Sequence, residues 1–123
     1  GKDNNAMMRI GTVVLLTIIL LILWNRLGPN MVDTSEVDFS EAIVIDVRSP
    51  GEFSGGHVED AINLPIDTIT EDELRKITQP EQTIVLYCHS GGRAAIVKKR
   101  METWGFTNVY NLKTQAQVTK TLN

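Results

Sequence analysis

Cys88 is the sole cysteine in 123 residues, and it opens the run Cys88-His89-Ser90-Gly91-Gly92-Arg93-Ala94. The β-branched stretch Thr83-Ile84-Val85-Leu86-Tyr87 leads straight into it, and a helical pattern follows. A thiol held in a glycine-rich turn between a strand end and a helix start is placed for chemistry. Successive backbone N–H groups of such a turn converge on an anion, and the unpaired N–H groups of the helix's first turn add positive potential. Both favour thiolate, the form that attacks sulfur or phosphorus. Gly91 and Gly92 permit left-handed backbone and leave room for a ligand. Arg93 is expected to bind an oxyanion from the far end of the loop. The bland alternative is a small hydrophobe ending a buried strand. Gly-Gly-Arg at the start of a basic helix weighs against it.

Alternating strands and helices must position that loop. Ala42-Ile43-Val44-Ile45-Asp46-Val47 reads as a strand buried on both faces. Ser49-Pro50-Gly51-Glu52-Phe53 carries a capping serine, a proline at the first helical position and an acid in the first turn. That pattern predicts a short helix, stopped by Gly55-Gly56. Ala61 to Leu64 is a brief strand closed by Pro65, and Thr70 begins a short amphipathic helix over Glu71 to Ile77. A helix runs from Arg93 or Ala94 to Trp104, with Ala94, Val97, Met101 and Trp104 on one stripe and Lys98, Lys99 and Arg100 off it. Gly105 caps it. Asn108 to Leu112 makes a last strand, and Gln115 to Leu122 a weak terminal helix. Short connections between alternating elements predict an α/β domain with a mostly parallel central sheet flanked by helices, preceded by one hydrophobic helix. Ligands bind beyond the carboxyl ends of such strands, and Cys88 sits at one.

That preceding segment is Ile10 to Trp24, fifteen residues without a charge between Arg9 and Arg26. As a helix it spans roughly 22 Å at ~1.5 Å per residue. An uncleaved single-span anchor is the favoured expectation, because no small-x-small cleavage site follows and both arginines can snorkel. The alternatives are a signal peptide, whose apolar core takes about 7–15 residues, and a buried core helix. Four segments follow: an N-terminal flank over 1–9, partly an expression remnant at Gly1 to Ala6; an anchor or signal segment over 10–26; a linker over 27–35; and a domain over 36–123. Trp24 is expected as an interfacial anchor and Trp104 as core. Residues 1–26 carry +2 and the remainder −5. Lys2 and Arg9 ahead of the segment and acids after it keep the N-terminus cytoplasmic and the domain outside.

The acidic balance argues against nucleic acid as a partner, while the local +3 between Arg93 and Trp104 suits a small anion. One cysteine excludes a disulfide framework and a Cys-rich zinc site, and two histidines without a Cys or Glu cluster make no metal site.

Three motifs, in order, resemble the single-domain rhodanese (thiosulfate sulfurtransferase) family. They are Asp46-Val47-Arg48-Ser49-Pro50-Gly51-Glu52-Phe53, then Gly56-His57-Val58-Glu59-Asp60-Ala61-Ile62-Asn63-Leu64-Pro65, then Tyr87 to Ala94, together spanning residues 36–112 approximately. The small size and hydrophobic leader are similar to the bacterial periplasmic, phage-shock branch of that family. The resemblance implies a rhodanese-like domain over 36–123 with Cys88 as catalytic nucleophile and no cofactor. It implies that a small anionic donor such as thiosulfate yields its outer sulfur to Cys88 and releases sulfite. The persulfide then passes sulfur to cyanide or a thiol, with a thioredoxin-like protein among the candidate acceptors. Loop N–H groups of Gly91 and Gly92, together with Arg93, would hold the donor, Ser90 would donate a further hydrogen bond, and His89 would guide donors from solvent. The implied location is the bacterial inner membrane, single-pass with the domain in the periplasm, or the soluble periplasm if the leader is cleaved. A membrane-tethered persulfide carrier or redox partner with little small-molecule turnover is the competing function.

The fold also resembles the dual-specificity phosphatases, whose loop has five residues between cysteine and arginine against four here; the tighter cradle favours sulfur. Asp46 ends its strand, Arg48 and Glu52 are expected to pair across a turn, and His57 is expected to be structural; these residues support the loop rather than react. Many rhodanese domains continue with a Gly-Gly turn and a tryptophan-containing final helix. Lys113 to Asn123 has neither, which predicts a more open rim.

Overall fold

The computed structural model describes residues 2–27 and 34–123, with the helical side chains of the first stretch described from Met8 to Trp24. It divides into two compact units, Gly1–Val37 and Asp38–Asn123.

The first unit holds α1 (Lys2–Leu27), a continuous helix in which every described side chain is exposed. Thr12 and Thr17 donate their hydroxyls to the carbonyls of Met8 and Val13, both at 2.9 Å. Met8 to Trp24 spans about 25 Å at ~1.5 Å per residue, and a crossing takes about 20 apolar residues. Among the described residues no helix is long and apolar enough to cross a membrane. The single-span anchor expected over 10–26 is therefore not supported, nor is Trp24 as its interfacial anchor. Most of the linker expected over 27–35 lies outside the described residues.

The second unit is an α/β layer structure. β1 (Ile43–Asp46), β2 (Ile62–Asn63), β3 (Ile84–Tyr87) and β4 (Val109–Asn111) form a sheet in the order β2-β1-β3-β4. Each pairing is parallel, so the sheet expected as mostly parallel is wholly so among the described residues. The helices are α2 (Pro50–Ser54), α3 (Glu71–Ile77), α4 (Gly92–Thr103) and α5 (Gln115–Leu122). Central β3 is buried along its length and alternates between two cores. Ile84 and Leu86 join Ile45, Leu74, Ala94, Val97, Met101 and Phe106 on one face. Val85 and Tyr87 join Leu112 and Val118 on the other. Helix α4 presents the expected stripe of Ala94, Val97 and Met101 to the first core, with Trp104 half-buried beside it. It starts at Gly92, one or two residues earlier than the expected Arg93 or Ala94, and its cap is Trp104, with Gly105 following at φ +93°.

Register brings the strand ends together: Asp46 lies opposite both Asn63 and Tyr87, and Leu86 lies opposite Asn111. A buried ion pair braces this edge. Asp46 is fully buried, and Arg48 Nε donates to both its carboxylate oxygens at 3.0 Å while Nη2 reaches Oδ2 at 2.7 Å. The Arg48 backbone N–H adds a bond to Asp46 Oδ1 at 2.8 Å, and Nη2 also donates to the Gly56 carbonyl at 2.7 Å. The Arg48 guanidinium sits 5.6 Å from the Tyr87 ring centroid, and the Tyr87 hydroxyl accepts from Val58 N–H at 3.0 Å. Asn63 Nδ2 donates to the carbonyls of Asp46 and Arg48, at 3.0 and 2.9 Å. The expected Arg48–Glu52 pair is thus replaced by Arg48–Asp46, because a two-residue spacing off the strand end lets the guanidinium fold back onto the buried carboxylate. Removing one partner leaves an uncompensated buried charge. Asp46→Ala should lower the unfolding free energy by ~3–5 kcal/mol in urea titration, and a change under 1 kcal/mol by the same measurement would show the pair to be dispensable.

Candidate active site

The Cys88 loop leaves the carboxyl end of β3 and enters α4. Cys88 is only 2% exposed, and its backbone N–H donates to the Lys113 carbonyl at 3.0 Å, which extends the β3–β4 ladder past the strand end. The loop then turns back over the sulfur, and the Gly91 N–H reaches Cys88 Sγ at 3.0 Å. Burial pushes the thiol pKa up, but backbone N–H groups of Ala94, Ser90, Gly91 and Arg93 outweigh it, and the net direction is down. The nest expected from the glycine-rich turn is therefore present, built from the loop and the first turn of α4.

Of the two loop glycines, only Gly91 uses the left-handed region, at φ +100°. A Cβ there would come within 2.8 Å of Lys113 Cγ and 3.1 Å of Lys113 Cβ. Gly92 is already helical and has open space where a Cβ would lie, so it needs no special backbone conformation. The Gly91 carbonyl accepts from Asn111 Nδ2 at 2.9 Å and from the Ala95 N–H at 3.0 Å, which pins the turn to β4 and to α4. His89 and Ser90 are exposed at the rim.

Arg93 makes an ion pair that the local sequence did not indicate. Its Nη1 and Nη2 donate to Glu52 Oε1 and Oε2 at 2.7 and 2.9 Å, a bidentate pair. Glu52 reaches that position because it is also the N3 residue of a capping box on α2, with Ser49 Oγ donating to Oε1 at 3.1 Å. Arg93, with the Ser49 bonds adding to its effect against desolvation, lowers the Glu52 pKa to about 2. A lowered carboxylate favours the folded chain fully above its unfolded value near 4.5 and loses that effect as pH falls toward 2, so the pair persists through mild acid. His57 stacks on Phe53 with ring centroids 3.6 Å apart, and its Nδ1 lies 2.8 Å from the Phe53 carbonyl. It belongs to the α2 exit rather than to the loop.

Lys113 and Asn111 are site neighbours that the local motif did not single out. Both follow from the position of β4 beside β3, since residues at the carboxyl end of the neighbouring strand border the same crevice.

Comparison with known proteins gives a consistent assignment. A family model described as a rhodanese-like domain matches residues 29–115. An uncharacterized protein, YqhL of Bacillus subtilis, is 34% identical over 61% of this chain and 58% of its own. The thiosulfate sulfurtransferase PspE of Escherichia coli is 31% identical over 54% of this chain and 64% of its own. The chain thus spans less than two thirds of the length of these curated relatives. A solved rhodanese with anions from E. coli superposes with TM-score 0.57 at 28% identity, over 62% of this chain and 89% of that one.

A thiolate held by backbone N–H groups reacts below the ordinary thiol range. Iodoacetamide labelling of Cys88 followed against pH should have a midpoint lower than that of a free cysteine. Gly91→Ala, which clashes with Lys113 and strains the turn, should raise the midpoint and slow the labelling; an unchanged profile would detach the Gly91 N–H from the thiol's ionisation.

Proposed function

The chain belongs to the rhodanese-like domain family, and on that premise we propose that it is a sulfurtransferase acting through a persulfide on Cys88. What chiefly supports it is the buried Sγ under converging backbone N–H groups, with the Gly91 N–H at 3.0 Å. The sulfane-sulfur donor is a small anion of the thiosulfate class. The Cys88 thiolate attacks the outer sulfur, the S–S bond of the donor breaks, and sulfite leaves with the bonding pair. Charge is conserved, since a thiolate and a dianion become a persulfide anion and a dianion. The terminal sulfur of the persulfide takes over the N–H groups that held the thiolate, so the loop stabilises both ends of the step without reorganising. Cyanide or an acceptor thiol, a thioredoxin-like protein among the candidates, then attacks that sulfur and returns Cys88 as thiolate.

Arg93 and Glu52 act as a strut in this scheme. Their bidentate pair fixes the start of α4 against α2, which keeps the N–H groups aimed at the sulfur. Ser90 and His89 stand at the rim where a donor enters. The charge asymmetry about the apolar segment supports placing the domain in the periplasm, with that segment serving as an export signal.

Intact mass after incubation with thiosulfate tests the proposal. The wild-type chain should gain one sulfur atom, lose it on adding cyanide, and release sulfite in equal amount. Cys88→Ser should stay folded and gain nothing; sulfur uptake by that variant would overturn the mechanism.

A further inference from the structure

Lys113 is one of two described non-glycine residues at positive φ, at +72°. Such a conformation is strained for a residue with a Cβ, and it persists only where the surroundings impose it. Here the surroundings are the Cys88 loop itself. The Lys113 carbonyl takes the Cys88 N–H at 3.0 Å, and the Lys113 N–H donates to Asn111 Oδ1 at 2.9 Å. The same Asn111 side chain donates to the Gly91 carbonyl at 2.9 Å, so one amide clamps Lys113 and the turn over the sulfur together. The Lys113 side chain lies on Gly91, with Cγ 2.8 Å from where a Gly91 Cβ would stand. Its ammonium is three bonds beyond that carbon. It therefore lies within about 10 Å of the loop, one Debye length at ~0.1 M salt.

The other cation of the loop is already committed. Both terminal nitrogens of Arg93 donate to Glu52. Lys113 is exposed, follows the end of β4 and rests its stem on Gly91.

We infer that Lys113 is a donor-binding and specificity-determining residue: its stem is held against the Gly91 turn by the left-handed backbone, and its ammonium selects dianionic sulfur donors for Cys88. This rests on the sulfurtransferase proposal. Coulomb attraction scales with donor charge, so the logarithm of the effect on a dianion is about twice that on a monoanion of the same reacting group. The site accordingly prefers thiosulfate to organic thiosulfonates, which carry the same outer sulfur on a single negative charge.

The test measures thiocyanate formation from cyanide with thiosulfate and with benzenethiosulfonate, in the wild-type chain and in Lys113→Met and Lys113→Arg. Methionine keeps the unbranched stem that rests on Gly91 and removes the charge. Lys113→Met should raise the half-saturating thiosulfate concentration roughly fivefold and the thiosulfonate value about twofold, with kcat little changed. Lys113→Arg should restore both, and added salt should weaken thiosulfate saturation more in the wild type than in Lys113→Met. Equal half-saturation in wild type and Lys113→Met, or an equal fold-change for the two donors, would overturn the assignment while leaving the sulfurtransferase proposal standing. A wild-type chain that takes sulfur from neither donor would overturn both.

Discussion

Backbone N–H groups of Ser90, Gly91, Arg93 and Ala94 act on one buried sulfur, and the arrangement around Cys88 follows from keeping them there. Sulfur in an apolar pocket resists ionisation, so the groups must be close and fixed to reverse the effect of burial. Side chains could supply such donors only by being ordered on binding, whereas a turn supplies them already oriented. The conformation that achieves this, Gly91 at φ +100°, excludes a side chain at that position twice over, through backbone strain and through contact with Lys113.

Two braces hold the turn, and a third fixes the strand end beside it. The Arg93–Glu52 pair ties α4 to α2, where Glu52 does double duty as the capping residue. Asn111 and Lys113 tie the turn to the end of β4. Asp46 and Arg48 fix the strand edge from which α2 departs, and Arg48 reaches the Gly56 carbonyl beyond that helix. The charged groups are used unevenly: the buried pair Asp46–Arg48 sets geometry at a high desolvation cost, while the half-buried Arg93–Glu52 pair costs less and still orients the loop. Lys113 is left exposed, with its stem against Gly91.

Short-range signals carried much of the fold. The continuous apolar run of 84–87, the Ser49-Pro50 start of α2, the Thr70 cap of α3 and the stripe on α4 are local properties of neighbouring residues, and each element formed where its pattern lies. The Cys88 loop was legible for the same reason, since a nest is made by consecutive backbone groups. Partner choice among charges was not legible. Arg48 is expected on Glu52, yet Arg48 takes Asp46, and Glu52 takes Arg93, 41 residues away in sequence. Charge and spacing permit several pairings, and only the folded chain brings Glu52 within 2.7 Å of Arg93.

The amino-acid sequence by itself determined that the single thiol stands at the carboxyl end of a central strand, in a glycine-containing turn that leads into a helix. Strand propensity, glycine placement and helix start are all encoded within a few residues of Cys88. Tertiary structure alone decided which carboxylate Arg93 takes and that Lys113 rests on the Gly91 turn. That outcome depends on β4 lying next to β3 and on α2 reaching α4. Those contacts join residues distant along the chain, and their energies depend on burial and geometry that no local pattern contains.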